Sequence, residues 1–285
     1  MTDAAAPSVE HVTQYLAGMP NLAFTGLSEN WLLKECGHQH WLALAALHDR
    51  PLPDFRDAEQ RIAYAAFTSV HSQDLQLQAI AENRTFCIAT QLSRAGANRH
   101  VSEQRLMLGE RCMGTVTLVS TFVSRHHAGD NRSIAKACLL GSVAHAMPSS
   151  ATRLLHNQSK QLRSGRWTHY MGLVRQHCID LPPYYHRPCP DADFNGAELF
   201  YFANFQALAD RAEWSVMKLR RPGQVRQRAI HFYGNLNIGD SLLVQLRCDE
   251  SSHRSRHWCE VSRQSDGVKL ADIFTEKHWP SECMR

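Results

Sequence analysis

Two short segments place a glycine and a small polar residue at the start of a strongly apolar helical run. They are Gly26-Leu27-Ser28, leading into ENWLLKECGHQHWLALAAL, and Asn195-Gly196-Ala197, leading into ELFYFANFQALADRAEW. The first N–H groups of a helix and the positive end of its dipole can hold an oxygen that gains negative charge, as an acyl carbonyl does under attack. Glycine lets a ligand come close to the backbone. Gly26, Ser28, Asn195 and Gly196 are therefore candidate substrate-binding residues, although a tight turn and a helix cap need the same residue types. Histidine is the other group with chemistry to offer, and there are 17. His38 and His40 flank Gln39 on the first helical run and point in different directions, so a shared metal is not expected, while a core or ligand-touching role for one of them stays open. His253 and His257 have i, i+4 spacing, but they fall in the polar stretch SSHRSRHW between strand-like runs, where helical spacing carries no meaning. No metal site and no cofactor are expected. The chain has no G-x-G-x-x-G, no G-x-x-x-x-G-K-[ST] and no G-x-S-x-G, which removes the dinucleotide, phosphate-loop and nucleophile-elbow classes.

The elements that must position these residues come in two similar sets. In the second helical run Tyr201, Phe205, Leu208 and Ala212 fall at i, i+4, i+7 and i+11, and apolar residues spill off that stripe at Phe200, Phe202 and Ala203. A helix apolar over most of its circumference is buried on most sides. After each helix come four runs in which Val, Ile, Thr and aromatics alternate with polar residues. In the first half they are 61–70, 85–93, 100–108 and 113–125. In the second they are 227–236, 241–248, 257–262 and 268–275. The last strands match loosely, GTVTLVSTFVSR against GVKLADIFTEK. Residues 126–167 read as a structured connector with a small apolar helix and a polar helix, ATRLLHNQSKQLR. One buried helix followed by an antiparallel meander, twice over, is the plan of an α+β double hotdog fold, with the two copies expected to pack sheet to sheet. The divisions expected are 11–127 for the first repeat, 128–168 for the connector and 169–280 for the second repeat.

With 285 residues, 44% hydrophobic and 20% charged, the chain falls in the globular class, outside the collagen-like, coiled-coil and disordered ones. The longest mainly apolar stretch, 134–147, is too short to span a bilayer, which takes roughly 20 residues. The first ten residues lack a basic n-region, and nine cysteines occur without a C-x-x-C pair. Both features lead to the expectation of a cytoplasmic protein with reduced thiols. A net charge of +4 is spread over basic stretches at 160–166, 220–228 and 254–263. These suit a solvated face, or an acidic partner or phosphate-bearing ligand; no zinc-finger, RRM or basic-zipper pattern supports nucleic acid.

The stretches MPNLAFTGLSENWLLKECGHQHW, AYAAFTSV and DFNGAELFYFANF resemble the family of the leinamycin-pathway bifunctional acyltransferase/decarboxylase (LnmK), found beside polyketide synthases. The resemblance covers most of the chain from about Ala17 to Thr275. It implies a double hotdog that transfers a methylmalonyl-type group from coenzyme A to an acyl carrier protein, losing carbon dioxide to leave a propionyl thioester. It also implies that Tyr64, in RIAYAAF, is the acyl-transfer residue. A phenol with pKa near 10 needs its proton removed to act at neutral pH, and His40 and His231 are candidates for that base by residue type alone. An acyl-CoA and a carrier protein are then the partners, with no nucleic acid and no membrane. A fused pair need not self-associate, though a homodimer is allowed. Two alternatives remain open. Asp193-Phe-Asn-Gly196 resembles the D-x-x-G entry of the 4-hydroxybenzoyl-CoA thioesterase group, which would make Asp193 the base or nucleophile of an acyl-CoA thioesterase. The same glycines and apolar pocket would also serve a non-catalytic acyl-thioester-binding protein.

Overall fold

The computed structural model describes residues 8–96, 98–139, 150–249 and 255–279. The first repeat runs β1 (Ser8–Leu16), α1 (Glu29–Leu47), β2 (Ala63–Gln73), β3 (Thr85–Gly96), β4 (Arg99–Leu108), β5 (Arg111–Arg125) and β6 (Ile134–Lys136). The connector contains α2 (Ser150–Arg163). The second repeat runs β7 (Cys178–Asp180), β8 (Tyr184–His186), α3 (Phe202–Met217), β9 (Gln224–Phe232), β10 (Leu242–Asp249), β11 (Arg256–Arg263) and β12 (Lys269–His278). All eight strand-like runs read from the sequence are strands. Two repeats of a central helix and an antiparallel meander make this a double hotdog.

The expectation that the repeats pack sheet to sheet is corrected by the strand order. One twelve-stranded sheet runs β1-β3-β4-β5-β2-β9-β12-β11-β10-β7, with β6 on β5 and β8 on β10. The repeats join edge to edge through β2 and β9, where Ser72, His71, Val70 and Ser69 pair antiparallel with Arg228, Ala229, Ile230 and His231. This joint covers the unpaired backbone edges that each meander would otherwise leave open at its first strand. Both helices lie on one face of the sheet, in a single core that includes Leu32, Leu33 and Cys36 of α1, Phe205, Leu208 and Ala212 of α3, and Val70 and Ile230 at the seam. On the opposite face Leu162 of α2 and the following Trp167 and Tyr170 cover Ala229, Trp258 and Phe274. The polar helix of the connector is thus α2. Of the apolar stretch 134–147, residues 134–136 form a strand and 140–147 lie outside the described residues, as does His253. His257 is a fully buried residue of β11.

The two helices start differently. Ser28 caps α1, its Oγ accepting from the Trp31 N–H at 3.3 Å, and the acidic Glu29 follows in the first turn. The second helix starts later than the sequence suggests. Asn195-Gly196-Ala197 is a loop, and α3 begins at Phe202 with Tyr201 at its N-cap and no side chain capping it. The Asn195 Oδ1 accepts the N–H groups of Ala197 and Leu199 at 3.0 and 3.1 Å, which closes a turn in place of opening a helix.

Candidate active site

The β2–β9 pairing extends over only four residues of each strand. Beyond it residues 63–68 of β2 and 232–235 diverge, and a cavity of about 820 Å³ opens between them. That volume lies within the range of small-molecule sites. Strand alternation gives the cavity two kinds of wall. Ala63 and Ala65 pack toward Ala43 and Leu44 of α1, and Phe67 packs against Phe202 with ring centres 4.4 Å apart. With Trp41, Phe205 and Phe232 these make the helix side apolar. Tyr64 and Ala66 point the other way. Tyr64 pairs with Val123 and Val123 with Lys136, so Tyr64, Val123 and Lys136 share one cross-strand row. Arg132 and Arg263 also line this polar side, each ion-paired, to Asp240 at 3.0 Å and to Asp266 at 2.8 Å. Among the described residues no Asp or Glu lines the cavity.

The α3 N-terminus is aimed into this space. Tyr201, Phe202 and Phe205 line it, and no side chain among the described residues caps the helix start. The lead-in to α3 is pinned across the gap by Asn235, whose Oδ1 accepts the Phe200 N–H at 3.0 Å while its Nδ2 donates to the Phe200 carbonyl at 3.2 Å. Asn131 ties the 195–199 loop to the same place, donating to the carbonyls of Glu198 and Leu236 at 2.7 and 2.8 Å. Sequence reading overlooked both asparagines. The only signal for Asn235 was a pair of amides, Asn235 and Asn237, shortly after a strand-like run, and Asn131 had none.

Of the residues singled out from sequence, the structure brings Tyr64 and Asn195 together in the cavity lining. Tyr64 is partly buried, and its hydroxyl has no hydrogen-bond partner among the described residues. Gly26, Ser28, Gly196 and Asp193 are not in the lining. Gly26 has φ +116° and packs so tightly that a Cβ would sit 2.4 Å from the Leu77 carbonyl oxygen, so its role is close backbone packing. Gly196 faces open space. Asp193 is buried, accepting the Cys189 N–H at 2.8 Å, with His186 at 3.5 Å and Arg211 at 3.8 Å.

The histidines separate clearly. His231 lies on the opposite face of the sheet, its Nε2 2.9 Å from the Tyr170 hydroxyl. His40 touches the cavity, but its Nδ1 and Nε2 are engaged by Ser102 and Ser120 at 2.7 and 2.8 Å. One nitrogen donates and the other accepts, and burial pushes its pKa down to about 3. Neither histidine is placed as the base of Tyr64. His38 lines the cavity on the exposed side of α1. Among the described residues no three His, Cys, Asp or Glu side chains converge as metal ligands do.

The α1 N-terminus, by contrast, is sealed. Arg228, buried on β9, donates to Glu29 at 2.8 and 3.0 Å, to Asp210 at 2.9 Å and to Thr275 at 2.9 Å. Lys277 adds bonds to Asp210 at 2.8 Å and Glu213 at 2.7 Å. The Leu75 N–H reaches the Arg226 carbonyl at 3.0 Å and keeps the strands together at this end.

No protein-family model and no curated protein sequence matches the chain. Solved structures do. An acyl-ACP thioesterase from Bacteroides thetaiotaomicron superposes with a TM-score of 0.61 at 11% identity, covering 94% of this chain and 97% of that one. A 12:0-ACP thioesterase from Umbellularia californica gives a TM-score of 0.61 at 9% identity, covering 94% and 96%. At these identities the likeness is one of fold, and the fold it shares with this chain is the double hotdog.

Proposed function

We propose that this protein acts on acyl thioesters, taking an acyl group from coenzyme A onto Tyr64 and passing it to the thiol of an acyl carrier protein. The acyl group is of methylmalonyl type and loses carbon dioxide on the way, the enolate left behind taking a proton from solvent to become propionyl. The observation that supports this reading is the cavity's composition: an unpartnered Tyr64 hydroxyl and an uncapped helix start, with no carboxylate in the described lining. A protein carboxylate would repel a carboxylated acyl group, and its absence suits one. The N–H groups at Phe202 and Ala203 would hold the thioester oxygen as it gains charge, both in acyl transfer and in the enolate left by decarboxylation. The apolar helix side favours loss of the charged carboxylate. Lys136 on the polar side suits a phosphate-bearing arm.

The second reading is hydrolysis, with water as the acyl acceptor. It is favoured by the fold shared with acyl-ACP thioesterases. Asp193 lies outside the cavity lining, so it would not be the base of such a reaction in this cavity.

Intact-protein mass spectrometry after mixing the protein with methylmalonyl-CoA and a phosphopantetheinylated carrier protein separates the readings. A propionylated carrier, with Tyr64→Phe inactive, is the expected result. Free acid and free coenzyme A with an unchanged carrier would establish hydrolysis. Tight binding with no turnover of any acyl-CoA would leave a binding protein.

A further inference from the structure

Any acyl exchange at this site needs a group that takes a proton from the attacking atom and returns it to the departing one. The described lining contains two histidines and no carboxylate. His40 is excluded by geometry, since both of its nitrogens are held by serines. His38 is exposed, and neither of its nitrogens has a partner among the described residues. Its place on α1 is set by contacts that the preceding turn makes with α3. At Gly37 the helix touches α3 so closely that a Cβ would meet the Phe202 ring at 2.7 Å. Lys34, one turn before His38 on the same face, holds its ammonium 5.9 Å from the centre of the Tyr201 ring. His38 thus lines the same cavity as Tyr201 and Phe202, into which the uncapped start of α3 opens. A free imidazole next to preformed oxyanion donors is the pairing that acyl chemistry requires.

We infer that His38 is the acid–base residue of this cavity. The assignment rests on the acyl-thioester reading above and holds for transfer and hydrolysis alike. As the attacking oxygen or sulfur bonds to the acyl carbon, its proton moves to the imidazole. As the C–S or C–O bond to the departing group breaks, the imidazolium returns that proton to the departing atom. Charge and protons balance in each half-reaction, and no other reactant is needed.

The test follows free coenzyme A, by chromatography, released from methylmalonyl-CoA and propionyl-CoA in the presence of a phosphopantetheinylated carrier protein across pH 5 to 9 for wild type, His38→Gln and His38→Ala. Thermal unfolding checks that the variants fold. The expected result is a fall in kcat of roughly 10²–10⁴-fold with KM changed less than about threefold. The acid limb of the wild-type profile should be absent from His38→Gln, and added imidazole should restore part of the His38→Ala activity. Wild-type turnover with a His38→Gln kcat within about threefold of it and the same pH profile would overturn the assignment alone. Failure of the wild type to release coenzyme A from either substrate would overturn the acyl-thioester reading and the assignment with it.

Discussion

His100 offers a measurement of how far the interior of the first repeat depends on keeping its imidazoles neutral. The ring is buried between α1 and the sheet, 1% exposed, and neither nitrogen has a hydrogen-bond partner among the described residues. Burial first, then the neighbouring His48 and Arg94, push its pKa down to about 3. The unfolded chain, with an imidazole near 6.5, binds a proton well before the folded one does. Stability from this group is therefore complete above about pH 6.5 and is lost as the pH falls toward 3. At pH 5 the group is about 1.5 units below the unfolded value, which at 1.36 kcal/mol per unit costs about 2 kcal/mol relative to pH 8. His100→Leu removes the titration and forfeits no hydrogen bond seen in the structure. Urea unfolding of both proteins at pH 8, 7, 6 and 5 should show the variant gaining about 2 kcal/mol on wild type over that range. Comparing the two proteins cancels the opposing contribution of Glu29, Glu213 and Asp272, whose carboxyls burial pushes upward. A stability difference that stays constant from pH 8 to pH 5 would show that His100 is protonated or solvated in the native protein and would refute the reasoning.

Three further outcomes are expected. Arg228→Met leaves Glu29 buried without its partner and should cost about 3–5 kcal/mol, roughly 10 °C in Tm, read by thermal unfolding. The deficit should shrink on acidification, because protonating Glu29 removes the uncompensated charge. Asp193→Ala should lower stability by about 1–3 kcal/mol through the lost Cys189 bond while leaving thiol release from acyl-CoA unchanged; loss of activity in a folded variant would return Asp193 to the catalytic role. Calorimetric titration with a non-hydrolysable acyl-CoA analogue should give one site per chain, and two sites would contradict the sealed α1 end.

Much of the fold was legible because burial dictates residue type at regular spacing. In β10 Leu242, Val244, Leu246 and Cys248 alternate inward, and that period is visible in the letters themselves. β1 was missed although it is nine residues long. As an edge strand with no fully buried residue, SVEHVTQYL carries only a weak apolar alternation. The start of α3 was misplaced because Phe200 and Tyr201 continue the apolar run without being helical, held in place by Asn235 from the loop after β9. That bond joins residues 35 apart, and no local pattern encodes it. The same limit applies to the site. Tyr64 and His38 belong to different elements, and only the divergence of β2 from β9 puts both on one cavity.

The two repeats carry the same elements, yet they treat equivalent places in opposite ways. Where α1 starts, against β9, there is a capping serine, a glycine packed on Leu77 and a buried Glu29–Arg228 pair. Where α3 starts, against β2, there is no cap, the strands part, and the β2 residues on the helix side are Ala63, Ala65 and Phe67. Small residues at two of those three positions leave room that the arginine fills at the other end. A buried ion pair is weak evidence for net stabilisation, because desolvating both charges offsets much of their attraction. It does, however, hold one register firmly, since removing either partner strands the other. Seen this way, the network at α1 fixes how the repeats join, and the strand divergence at α3 is tolerated because the other end of the same seam is locked. The open end is free to hold a ligand because the closed end carries the joint.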